Sequence, residues 1–209
     1  TNFGPGVEGA YSHMAPLAAS AHLRIGIIDP GSVNLGGLGP DGVPAGPGFV
    51  YANSFGDIRY QRDLCADVRL GPSVAVFEAG FLRTAMRYEA AGLMPQGAMI
   101  KLYFGAPGAA FGLPPTTTAL DAYCEIMAGS RLPWSVAVVG GDLFAHRDMA
   151  LAALARGAHL HVGLEDHAGA DSPTNADLVG AAVRLCAEAG RTVATVAEAE
   201  AILDLPRRH

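Results

Sequence analysis

The sequence predicts an α/β fold, a parallel β-sheet assembled from repeated strand–helix units. Three observations carry this. Five apolar runs of strand length recur along the 209 residues. Amphipathic segments of helical period separate them, and polar residues gather at the C-terminal ends of the runs. Alternating units at about 30-residue spacing require crossover connections, hence a parallel sheet, either doubly wound or closed as a barrel.

Taken in order, a strand stub is expected at residues 1–3, followed by strands RIGIID (24–29), SVAVF (73–77), AMIKLYF (98–104), WSVAVV (134–139) and HLHVGL (159–164). Each is short and mostly β-branched or aromatic, the composition of a strand buried by helices. Residues 30–48 read as a long loop on the active face. Helical patterns fill 57–70, 79–92, 118–129 and 142–157, where apolar residues recur along one stripe. Two further helices open with capping boxes, Thr174 with Asp177 and Thr195 with Glu198, and Gly190 and Pro206 supply stops. Asp29, Glu78, Gly140–Gly141 and Glu165–Asp166 fall at strand C-terminal ends, where both architectures place their chemistry. A full eight-stranded barrel takes roughly 250 residues. The expected fold is therefore a (β/α)8 TIM barrel lacking its first two to three strand units, residues 1–209 forming one domain that is its C-terminal portion. The start at Thr1, inside the glycine-rich TNFGPG, fits entry partway through such a fold.

Composition removes several classes. Half the residues are hydrophobic and 16% are charged, which excludes a disordered tail. The net charge is −6 and basic residues stand singly, so neither nucleic acid nor an anionic membrane is an expected partner. Cys65, Cys124 and Cys186 are dispersed and odd in number, which supports no disulfide framework or zinc ribbon. Apolar stretches break well before membrane-spanning length and no signal peptide opens the chain, so a cytoplasmic location is expected. Thirteen of the fourteen basic residues are arginine, and Lys101 is the only lysine.

Several motifs can carry chemistry. GLGPDG (37–42) fits GxGxxG formally, but Pro40 and the following Gly and Pro residues stand where a helix should open, so no dinucleotide site is expected. VVGGDL (138–143) is a strand, two glycines and a helix start. It reads either as an anion cradle or as a tight turn capped by Asp142. Lys101 alternates with Ile100 and Leu102; facing inward it could form a Schiff base, facing outward it is a surface charge. Ser32 and Asn34 suit a substrate carboxylate or carbonyl, or simple turn chemistry. Glu78 shares strand parity with Val74 and Val76, where an ionised carboxylate is costly unless paired or functional. In HLHVGLEDHAG, alternation puts His159, His161, Gly163 and Glu165 on one face, with Asp166 facing away or turning at the rim. Glu and His suit zinc.

The block from GAHLHVGLEDHAG through PTN, together with DPGSVNLG, YANSFGDI, VFEAGFLRTA, GLPPT and LPWSVAVVGGD in this order, resembles the β-keto acid cleavage enzyme family. The resemblance spans nearly the whole chain. It implies a zinc-dependent TIM barrel that converts a β-keto acid and acetyl-CoA into acetoacetate and a new acyl-CoA. On that mapping Glu165 is a zinc ligand, Asp166 the acid–base residue, and Glu78 a second active-site carboxylate. Thr1, Gly4, Ser32 and Asn34 line the pocket for the substrate carboxylate and carbonyl. The family's other zinc ligands, a His-x-His pair, would precede Thr1, and His159 with His161 are the only substitutes of that spacing here. His161 stands where the family usually has Arg beside the acid–base Asp, which bears on substrate choice. A homotetramer is the implied assembly. The alternatives are a Schiff-base aldolase-like barrel using Lys101 and a non-catalytic truncated homologue.

Overall fold

The computed structural model describes residues 6–20 and 23–207. The strand stub expected at 1–3, and the candidate residues Thr1 and Gly4, lie outside the described residues. Two short helices, α1 (Gly6–Ala10) and α2 (Met14–Ser20), lead into strand β1 (Ile25–Ile28). Then come β2 (Val33–Leu38), β3 (Pro44–Tyr51), α3 (Phe55–Asp67), β4 (Gly71–Val76), α4 (Ala79–Ala90) and β5 (Met99–Gly105). The chain continues through α5 (Thr117–Ile126), β6 (Trp134–Val139), a 3₁₀ turn at Leu143–His146, α6 (Arg147–Ala155), β7 (His159–Leu160), α7 (Asn175–Glu188) and α8 (Val196–Ile202).

Five strands form a parallel sheet in the order β1-β4-β5-β6-β7, without reversal along the chain. Its register aligns Val74 with Ile100 and Leu102 with Val136, so these side chains share a face. That face is fully buried under the helices: Met14 of α2, Phe81 and Leu82 of α4, Leu120 and Tyr123 of α5, Met149 of α6 and Leu185 of α7 join one core with it. Gly26 allows this approach, because a Cβ there would meet Cys65 Sγ at 2.7 Å and Met14 Cε at 3.0 Å. A doubly wound sheet would carry helices on both faces and reverse its strand order. Here α2 through α7 all bury residues in a single core on one face, and the order runs straight through.

Helix starts follow side-chain chemistry. The capping boxes at Thr174–Asp177 and Thr195–Glu198 form as the sequence predicts, and Ser54–Asp57 makes a third at α3. Two elements differ from the sequence reading. Residues 30–48 are not a loop: Val33–Leu38 and Pro44–Tyr51 pair as an antiparallel hairpin with a register shift between Leu35 and Gly37. The GLGPDG motif spends its glycines on the hairpin turn, where Gly39 N–H donates to Val43 O and Gly42 has φ +77°. The last strand is shorter than 159–164, ending at Leu160, because the chain turns back at Gly163, whose carbonyl accepts from both Asp166 and His167 N–H. Among the described residues no helix is long and apolar enough to cross a membrane.

Candidate active site

Strand parity organises the face opposite the helices into layers. Ala75, Lys101, Ser135 and His159 stand side by side in one layer by register. One inward-facing step nearer the strand C-termini, Tyr103 pairs with Ala137, and Phe77 stacks on Tyr103 with centroids 4.6 Å apart. His161 extends the ladder past β7, its N–H donating to Val136 O, and its ring meets Tyr103 edge-on at 6.1 Å. These layers and the hairpin enclose a cavity of about 510 Å³ whose wall includes Asp29, Tyr51, Lys101, Tyr103, His161 and Glu165. A cavity of about 630 Å³ lies elsewhere, between α4 and the C-terminal end of α5, lined by Arg83, Arg87 and Arg131. The former is the candidate site, because it gathers Asp29, Glu165, the lysine and the histidine at one wall near the strand C-terminal ends.

Asp166 takes the second of its two expected placements. The turn at Gly163 swings it inward at the rim, and its Oδ2 lies 2.9 Å from His161 Nε2. The contact has the distance of an ion pair without hydrogen-bond alignment, so the buried Oδ2 keeps its hydrogen-bonding capacity. Glu165 sits on the same turn, exposed, at the cavity wall. The expectation that Gly163 and Glu165 continue a strand face is corrected, since no strand extends there.

Asp29 is 5% exposed and accepts from Tyr11 OH at 3.2 Å and from Tyr51 OH. Burial raises its pKa, opposed by the two tyrosines and by the Lys101 charge. Tyr51 is pushed up to about 12 by burial and by the adjacent Asp29. Lys101 faces inward; burial lowers its pKa, opposed by Asp166, Glu165 and Asp29 in that order. Behind Asp29, Gln61 accepts from Asp29 N–H at 2.7 Å and donates to Asn53 Oδ1 at 2.8 Å. Asn53 in turn exchanges hydrogen bonds with Ser32, through N–H to Oγ and hydroxyl to carbonyl.

The remaining candidates sit apart from this cavity wall. Ser32 is exposed and held by Asn53, while Asn34 is exposed on β2 opposite Val50. Glu78 stands at the N-terminus of α4 without capping it, and its Oε1 accepts from Gly112 N–H at 2.9 Å, which answers the charge with a loop amide. At VVGGDL the turn reading holds: Gly140 N–H donates to Asp166 O and Asp142 accepts from Phe144 N–H. Sequence reasoning missed Tyr11, Tyr51, Asn53 and Gln61 altogether. Gln61 carried a usable signal, lying with Ile58 and Cys65 on the buried stripe of α3.

Among the described residues no group of three His, Cys, Asp or Glu is placed to hold a metal ion. His161 is committed to Asp166, and Glu165 is left as a single carboxylate donor where a catalytic zinc takes three protein ligands. The described residues do not by themselves make a zinc site.

Comparison with known proteins gives concordant matches. Residues 4–205 match the family described as beta-keto acid cleavage enzyme. The chain is 28% identical over 193 residues to the 3-keto-5-aminohexanoate cleavage enzyme of Fusobacterium nucleatum, covering 89% of this chain and 63% of that protein. It is 32% identical over 141 residues to the 3-oxoadipate:acetyl-CoA acetyltransferase of Cupriavidus necator, covering 65% of this chain and 48% of that protein. The chain thus spans less than two thirds of the length of either relative.

Proposed function

The chain belongs to the β-keto acid cleavage enzyme family, and from that premise we propose that it acts in acyl exchange between a β-keto acid and acetyl-CoA, yielding acetoacetate and a new acyl-CoA. The observation that carries this reading is the Asp166–His161 contact at the strand C-termini, with His161 on the cavity wall. Asp166 removes a proton from the carbon between keto and carboxyl groups. The resulting enolate attacks the acetyl carbonyl and expels the CoA thiolate. The thiolate then adds to the original keto carbon, the old carbon–carbon bond breaks, and Asp166 returns the proton to the acetoacetate carbanion. His161 orients the carboxylate and can share its charge during transfer. Ser32 and Asn34 are the proposed contacts for the substrate carboxylate and carbonyl, joined by Thr1 and Gly4, and Glu78 is a proposed second carboxylate of the site.

Zinc is expected from the family resemblance, with Glu165 as the donor this chain offers; no step above is routed through it. A closed (β/α)8 barrel and a homotetramer complete the reading. Both are supported by the one-sided helix layer and by the sheet edges at β1 and β7.

The test is an assay of acetoacetate formation from β-keto acids with isotope-labelled acetyl-CoA, with and without added zinc. Asp166→Asn should lower kcat by about 10²–10⁴-fold with little change in KM. Unaltered turnover in that variant would remove Asp166 from the chemistry. A borohydride-trapped adduct on Lys101, with activity surviving chelation, would favour the Schiff-base route instead.

A further inference from the structure

The turn that carries Glu165 and Asp166 is held by a residue that the proposed reaction does not use. Asp166 meets His161, and the next side chain, His167, lies between two other carboxylates. Its Nε2 is 3.0 Å from Asp171 Oδ1, and its Nδ1 is 3.9 Å from Asp142 Oδ1. The imidazole is nearly buried, whereas Asp171 is exposed. Gly169 makes room for the ring, because a Cβ there would meet His167 Cε1 at 2.8 Å and Nε2 at 2.9 Å. The main chain ties the same residues to the end of β6. Gly140 N–H donates to Asp166 O, Ala168 N–H donates to Gly141 O, and Gly141 bridges His167. Asp142, next along, is fixed in turn by Phe144 N–H at 2.9 Å. A cavity of about 10 Å³, no larger than one water, separates the two contacts; His161 and Asp166 line it together with His167 and Asp142. With so little free volume, a shift of the His167 ring must be taken up by Asp166.

We propose that His167 is a positioning residue: bracketed by Asp142 and Asp171, it fixes the turn so that Asp166 keeps its contact with His161. The inference rests on the reading of Asp166 as the acid–base residue and deepens it. Among the described residues lining the 510 Å³ cavity His161 is present and His167 is not, so its effect passes through its neighbour. Proton transfer needs the carboxylate within hydrogen-bond reach of the carbon acid, and a misplacement near 1 Å costs roughly 10²-fold in rate. A glutamine at 167 keeps a donor where Nε2 stands; an alanine keeps neither the donor nor the ring.

Nitrogen-15 NMR of the imidazole rings of the intact chain, at fixed pH, tests this without turnover. Asp166→Asn gives the shift of the His161 Nε2 signal that marks a broken contact. His167→Ala should move that signal in the same direction, and His167→Gln should return it most of the way. Asp171→Ala, which removes only an exposed partner, should produce a smaller change of the same sign and serves where the alanine variant at 167 fails to fold. In the acetoacetate assay His167→Ala should lower kcat about tenfold to a hundredfold with KM nearly unchanged, and glutamine should rescue it. Combined with Asp166→Asn, His167→Ala should cost nothing further. An unmoved His161 signal, a loss shared equally by kcat and KM without rescue by glutamine, or full additivity with Asp166→Asn would overturn the proposal. Coupled NMR signals in a chain that turns over no β-keto acid sustain the positioning role and remove the reaction. Uncoupled signals in a chain that Asp166→Asn inactivates do the reverse.

Discussion

At the residue scale, the inner face combines groups whose burial and neighbours pull in different directions, and His159 makes this measurable. Burial, with the nearby Arg191 charge, lowers its pKa. The folded protein therefore holds His159 neutral where the unfolded chain, with an ordinary value near 6.5, takes up a proton. As pH falls through about 6.5 the unfolded state binds more protons, so this contribution to stability is present above that pH and lost below it. Urea midpoints at pH 7.5 and 5.5 should show the loss, no more than about 1 kcal/mol because solvent screens a half-buried ring. His159→Gln should flatten that part of the slope. If the two proteins keep parallel pH profiles, His159 contributes nothing to the linkage. Lys101 follows the same sign at higher pH, its charged form being disfavoured by folding.

At the scale of elements, the decisive device is the buried amide of Gln61, which fastens three segments. It sits on α3 with 0% exposure and joins the end of β1, at Asp29 N–H, to Asn53, two residues past the hairpin. Through Asn53 it also fixes Ser32. Gln61→Leu keeps the volume but orphans both buried partners, so it should cost about 2–6 kcal/mol, at roughly 1–3 kcal/mol per unpaired group. Chemical denaturation measures this, and a change under about 0.5 kcal/mol would show that the partners re-pair without it. Such wiring explains what was legible in the sequence. WSVAVV matches β6 residue for residue, because its apolar side chains are buried on both faces and punctuated by Pro133 and Gly140. HLHVGL overran because Val162 and Leu164 look strand-like, while Gly163 turns the chain. The hairpin was hidden by glycine and proline, although Pro44 opens its strand, where a missing N–H is tolerated. Strand-end acids could be located from the sequence; the tyrosines that hold Asp29 could not, since nothing local to Tyr11 or Tyr51 points across the 18 and 22 residues to Asp29.

At the scale of the whole molecule, the sheet has one finished face and one unfinished. The helix side is a continuous core, whereas on the cavity side Ile25 and Ile27 remain 40% and 37% exposed, on a strand whose outer edge pairs with no other described strand. Exposed apolar side chains on an unpaired edge strand favour association, because both the apolar area and the open backbone groups gain partners. The chain should therefore self-associate at micromolar concentration, visible as concentration-dependent sedimentation. The double substitution Ile25→Lys and Ile27→Lys should shift it toward monomer with stability nearly unchanged, since neither residue supports the helix-side core. A wild-type chain that sediments as a monomer across that range would contradict this, and would mean that the hairpin already shields the face. Association through this face also bears on the cavity, whose wall includes both isoleucines together with Lys101 and His161. If the double variant becomes monomeric and simultaneously loses acetoacetate formation, the associated form is the one that completes the site. If that activity survives, the layers of one chain suffice for the reaction, and association serves only to cover apolar surface.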